Sequence, residues 1–247
     1  MLVAAAVCPC PPLLVPQVAA GAAAELDVAR TACTDALGVL AAARPDLLVV
    51  VGPGEPAGPY PQGTPGSFRG FGVDLDVTLG TDVTLGTDVT LGTEAAGEPG
   101  PALPTSLAVA AWLLARTDWA DAPIEGLGVP ESLERARCLA TGREIGARAA
   151  RVALLVMGDA SACRTVKAPG YLDERAAPFD AGVGRALGSA DLAALRALDA
   201  GLARELKAAG RASWQVLAGA AEGAGLAGRL LYEGAPYGVG YVVASWS

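Results

Sequence analysis

Histidine is absent from all 247 residues. It is the side chain most used for metal ligation and for proton transfer near neutral pH, so any chemistry here must run on carboxylates, thiols, hydroxyls or backbone groups. Positive charge is also scarce. Eighteen Lys and Arg face 26 Asp and Glu, a net charge of −8, and the basic residues occur singly. No basic stripe is available to follow a phosphate backbone, which argues against nucleic acid as a partner. No stretch approaches the ~18 apolar residues of a bilayer span, which argues against a membrane. The apolar start Met1–Val7 lacks a basic leader, and Pro9, Pro11 and Pro12 cut it short, so it reads as a buried strand rather than a signal peptide. The five cysteines (Cys8, Cys10, Cys33, Cys138 and Cys163) are odd in number and lack framework spacing. That pattern suits reduced thiols and a cytoplasmic location.

What is present suits a compact α/β protein. Hydrophobic residues make up 52% of the chain, enough for a substantial core. Leu2–Val7 and Leu47–Val51 are continuous apolar runs, as expected of strands covered on both faces, with a long Ala-rich helical pattern between them from about Val18 to Ala43. Val152–Met157 is a third such run. Helical patterns are expected at 106–116, capped by Thr105 or Ser106, at 132–148 and over much of 179–221, with a last strand at 239–244. The fold class implied is α/β: one domain, residues 1–247, with a mainly parallel central sheet flanked by helices. Gly52–Gly70 reads as a long Gly/Pro loop. Three copies of Asp-Val-Thr-Leu-Gly-Thr, at 76–81, 82–87 and 88–93, read as one strand plus an exposed, duplicated insertion within 76–93.

Ligands of open α/β sheets sit at the carboxyl ends of strands. Three loaded ends stand out: Cys8–Pro12, Gly52–Glu55 and Gly158–Arg164. Cys10 offers a thiol, but two sulfurs in Cys8-Pro-Cys10 do not close a zinc site, and two small buried residues beside a turn is the plainer account. Ser161 as nucleophile would need a base, and no histidine can serve; a turn or capping bond is the plainer role. Asp159, a carboxylate just past a buried strand, calls for a specific partner or a solvent-facing role. Tyr237 and Tyr241 in the Gly-rich ending suit packing and binding equally.

Four segments together resemble the catalytic B subunit of class III extradiol ring-cleavage dioxygenases: Cys8–Pro16, Gly158-Asp-Ala-Ser-Ala162, Tyr171–Leu187 with Ala-Pro-Phe-Asp180, and Ser213–Ala220. The resemblance implies an Fe(II) site of two histidines and a glutamate, with a further histidine handling protons. Those positions correspond to Cys10, about Gly54, the stretch Gly210–Ser213, and Ala162. None carries the expected residue, so no metal and no cofactor is expected. The reading is a homologue that has lost the iron site, non-catalytic or repurposed, with a cleft for a small molecule or partner. Cys10, Asp159 and Ser161 are the cleft candidates. The alternatives are remodelled chemistry using Cys10 with Asp159 or Glu55, or a dioxygenase with a substituted metal site. The resemblance also implies a homodimer.

Overall fold

A computed structural model describes residues 1–80 and 101–247. Nine strands, β1 (Leu2–Cys8), β2 (Leu47–Pro53), β3 (Gly58–Pro61), β4 (Pro65–Ser67), β5 (Asp76–Thr78), β6 (Ile124–Val129), β7 (Val152–Met157), β8 (Gly228–Gly234) and β9 (Tyr241–Trp246), are interleaved with helices. The helices are α1 (Pro16–Ala19), α2 (Asp27–Ala42), α3 (Thr105–Arg116), α4 (Arg135–Gly146), α5 (Ala176–Gly188), α6 (Leu192–Arg196), α7 (Ala200–Glu205) and α8 (Arg211–Ala220). The main sheet runs β3-β6-β2-β7-β1-β9-β8. Its central four strands, β6, β2, β7 and β1, are parallel, and the antiparallel pairs lie at its two ends. The fold is thus α/β with a central sheet flanked by helices, as the apolar runs imply. Among the described residues no helix is long and apolar enough to cross a membrane.

Both faces of the sheet are covered. Ala4, Ala6, Leu48, Val50, Ala153 and Leu155 point into one core with α2 and α3. Their strand neighbours Val7, Val49, Val51, Leu154 and Val156 point into a second core with α5 and α8. Successive strand side chains alternate faces, so a strand apolar at every position is what a sheet buried on both sides requires.

Several expectations are refined. The helical pattern from Val18 begins as 3-10 turns over Ala20–Leu26 and becomes α-helix only at Asp27. β1 and β2 are not neighbours, because β7 is inserted between them. The Gly52–Gly70 loop contains β3, whose Pro59 and Pro61 fit an edge strand with no partner on its outer side among the described residues. Thr105 and Ser106 do not cap α3, which starts after Pro104; Ser106 Oγ instead donates to the Pro53 carbonyl and ties the helix to the end of β2. β6 and β8 were not anticipated. The first hexapeptide copy supplies the expected strand, β5, and its Leu79 is fully buried. The two further copies, 82–93, lie outside the described residues.

α4 and α8 cross with almost no space between their backbones. A Cβ built on Gly142 would stand 2.0 Å from the Val216 carbonyl oxygen, and one on Gly219 would stand 2.2 Å from that of Leu139. The two glycines are where each helix accepts the other, a role that requires the missing side chain.

Candidate functional site

The four parallel strands end on one side of the sheet, and their following loops build a cleft of about 780 Å³. Cys10 enters it from the loop after β1, Gly54 and Glu55 from the loop after β2, and Glu131 from the loop after β6. Pro104–Ser106 at the start of α3 and residues of α7 and α8, including Arg204 and Arg211, close the other sides.

Asp159, after β7, stands behind this wall and holds it together. Its Oδ1 accepts the Cys10 backbone N–H at 2.8 Å, and its carbonyl accepts the Gly210 N–H at 2.9 Å. One residue therefore joins the loop after β1 to the turn that launches α8. Burial pushes the Asp159 carboxyl up to about 7, with the negative charge of Glu131 adding to the shift and the Cys10 N–H opposing it. The same surroundings act on Cys10, which is 8% exposed. Burial raises its thiol well above the ordinary range, and the charges of Asp159 and Glu131 raise it further. Cys10 is thereby held as a neutral thiol, the opposite of what a nucleophile needs. Glu131 is raised by burial and by Glu55, against the pull of Arg211. Buried Tyr241 is raised too, first by burial and then by Asp159; Tyr237 donates to the Ala22 carbonyl at 3.3 Å. Both tyrosines are engaged with protein.

Ser161 is not in the cleft. It is fully buried, its N–H donates to Asp180 Oδ1 at 2.8 Å and its hydroxyl to Asp180 Oδ2 at 2.9 Å. Arg164 donates to the same carboxylate at 2.9 Å. Asp180, 1% exposed, thus satisfies three donors and fixes the loop after β7 against α5. Ala162 is also absent from the cleft; it is tied by its N–H to Leu206 and by its carbonyl to Gly170. Of the sequence candidates, the structure brings Cys10, Gly54 and Glu55 together, with Asp159 joined to Cys10, and turns Ser161 into a buried framework. Replacing Asp180 with Ala should cost about 3–5 kcal/mol, the usual cost of stripping one partner from a buried ion pair. Ser161→Ala, losing one hydrogen bond, should cost about 1 kcal/mol. Urea unfolding of both variants checks the ordering.

Glu131, Glu134, Arg204 and Arg211 line the cleft and were not singled out from sequence. Glu131 follows Val129-Pro130, a strand-end signal of the same kind as Gly52–Glu55, but it becomes visible only once β6 is recognised. Arg211 is 3% exposed, and its guanidinium is spent on structure, donating to the Leu133 and Glu131 carbonyls and to Gln215 Oε1.

Two glycines within the segments that the extradiol resemblance gives to iron ligands leave no room for a ligating side chain. A side chain at Gly54 would meet Pro104 Cγ at 2.9 Å and the Gly128 Cα at 3.0 Å. One at Gly210 would run into the Trp214 indole at 2.2 Å. Among the described residues no group of three or more Cys, Asp or Glu side chains is placed to hold a metal ion.

No family model matches the sequence, and no curated protein does. A solved structure of an uncharacterized protein from Escherichia coli K12 is similar along 99% of this chain and 99% of its own, with a TM-score of 0.53 and 17% identity. At that identity the likeness concerns architecture: the whole chain follows a fold already seen as one unit.

Proposed function

We propose that this chain is an extradiol dioxygenase B-subunit-like protein without an iron site, and that its cleft binds a small molecule instead of cleaving catechol rings. One observation carries the reading. At Gly54, and at Gly210 within the stretch Gly210–Ser213, an added side chain would collide with Pro104 or Trp214, while the cleft beside them stays open at about 780 Å³. That volume lies within the ordinary range of small-molecule sites, and it sits at the strand carboxyl ends where α/β sheets place their ligands. Loss of a complete ligand set removes a metal site rather than weakening it. The neutral Cys10 thiol, behind which Asp159 is held near its midpoint at neutral pH, adds polar character to the wall without supplying an activated nucleophile.

The protein is expected to leave anaerobic incubation with ferrous iron and subsequent desalting with far less than one iron per chain, and to show no catechol-dependent oxygen uptake. Elemental analysis and an oxygen electrode read both. Stoichiometric iron together with uptake would overturn the proposal.

A further inference from the structure

Large apolar side chains left in water are few on this molecule, and three of them share one loop. Among the described residues Met1, Val28, Phe71 and Leu230 stand apart from one another in the chain, whereas Val166, Tyr171 and Leu172, each half or more exposed, lie together in the loop between β7 and α5. Single exposed apolar residues are ordinary on a protein surface; a group of them marks a contact. The backbone of this loop is well fastened. The Gly170 N–H donates to the Ala162 carbonyl at 2.8 Å, that of Asp173 to Cys163 at 3.0 Å, and that of Tyr171 to Ala168 at 2.9 Å. Arg164 N–H donates to the Gly238 carbonyl at 3.0 Å, and Lys207 Nζ to that of Pro169 at 3.4 Å. Within this frame Tyr171 is held at a φ of 64°, the left-handed region that a bulky side chain enters only at a cost. The cost secures no burial within the chain, since the ring stays in water.

The charges around the patch indicate what can cover it. Arg164 is paired with Asp180, and Arg175 with Asp173 and Glu205. Two exposed charges of the loop have no partner among the described residues: Lys167, next to Val166, and Glu174, two residues beyond Leu172. They are of opposite sign and stand toward opposite ends of the loop. A phosphate-rich or otherwise strongly anionic partner would find no excess of cations here, on a chain of net charge −8. A strongly basic partner would find the patch neutral. A second copy of the chain, turned about a two-fold axis, supplies what is missing at both ends, because each copy brings a glutamate to the other's lysine. Such a contact uses the same patch on both sides, so self-complementarity is the condition for it.

We propose that this loop is the contact of a two-fold symmetric dimer, in which Val166, Tyr171 and Leu172 of two copies pack together and each Lys167 meets the Glu174 of the other copy. None of these residues lines the cleft, and the contact does not depend on what the cleft binds. Three apolar side chains from each copy place the buried area at the low end for specific interfaces, so the dimer is weak and forms as concentration rises.

Sedimentation velocity of the whole chain in about 0.15 M salt should show monomer at about 1 µM and mostly dimer by about 300 µM, the range of a small interface. Tyr171→Gly removes the ring and suits the left-handed backbone. It should leave the melting temperature unchanged or higher while weakening association at least about tenfold. Lys167→Glu and Glu174→Lys should each weaken association about threefold, the scale of a surface ion pair, and the double variant should restore the parent value. A parent that stays monomeric at the highest concentration leaves the patch to a different partner and overturns the proposal. Association untouched by Tyr171→Gly places the contact elsewhere and overturns it equally. A double variant no better than the singles would rule out the reciprocal pairing, and growth beyond a dimer would rule out a closed two-fold contact.

Discussion

Asp159→Asn is expected to make the protein more stable, most strongly in mild alkali. In the folded chain this carboxyl titrates near 7, whereas in the unfolded chain it titrates near 3.9. Folding therefore favours the protonated form. Below about pH 4 both states carry the proton and the residue costs nothing; above pH 7 both are ionised and the fold bears the full penalty of a confined charge. Asparagine keeps an oxygen for the Cys10 N–H and carries no charge. Because Asp159 is not wholly enclosed, the gain at pH 8 should be about 2–4 kcal/mol rather than the full ~4 kcal/mol that the difference in pKa would give. That corresponds to roughly 5–10 °C in melting temperature for a chain of this size. The advantage should shrink steadily from pH 7 and nearly vanish by pH 4. Melting curves of both proteins across that range provide the check. A variant less stable than the parent at pH 8 would show that the ionised carboxylate supports the fold.

The second large effect compares one substitution at two helical glycines. Gly142→Ala should destabilise the protein by about 3 kcal/mol or more, at the upper end of overpacking penalties. The new methyl would meet the Val216 carbonyl oxygen at 2.0 Å and the Ala220 nitrogen at 2.6 Å, and neither backbone atom can rotate aside. Gly38→Ala, on the exposed side of α2 with nothing within 4 Å, should instead stabilise by about 0.5–1 kcal/mol through helix propensity alone. Opposite signs in paired chemical denaturation experiments would establish the α4–α8 crossing as a backbone contact. A neutral Gly142→Ala would mean that the helices separate without cost.

The sheet was legible in the sequence where its strands are covered on both faces. Leu2–Val7, Leu47–Val51 and Val152–Met157 are apolar at every position, and only burial from two sides explains that. β6 escaped because its sequence, Ile-Glu-Gly-Leu-Gly-Val, carries two glycines that read as turn residues. Their reason is tertiary: side chains there would collide with Leu79 and Tyr60, which pack flat across the strand. With β6 unread, Glu131 also stayed hidden as a cleft residue. Cys10 and Glu55 were legible as cleft residues because strand ends position ligand sites in this fold class. Ser161 was misjudged for lack of one long-range fact, the presence of Asp180 nineteen residues along, whose carboxylate captures both its N–H and its hydroxyl. Adjacent residues in a loop can face opposite ways, and sequence does not say which will turn inward.

The position of β1 has a consequence for how the chain reaches this state. Its partners on the two sides are β7 and β9: Leu2 pairs with Val152, and Val7 with Ala244. During synthesis β1 emerges well before either partner exists, and the sheet's interior cannot close around it until β7 and β9 have been made. Meanwhile a seven-residue apolar segment must stay unpaired in a crowded cell. Long loop closures of this kind slow folding. Seating β1 in the sheet therefore waits on strands that follow it by more than a hundred residues, and that interval is its most exposed one.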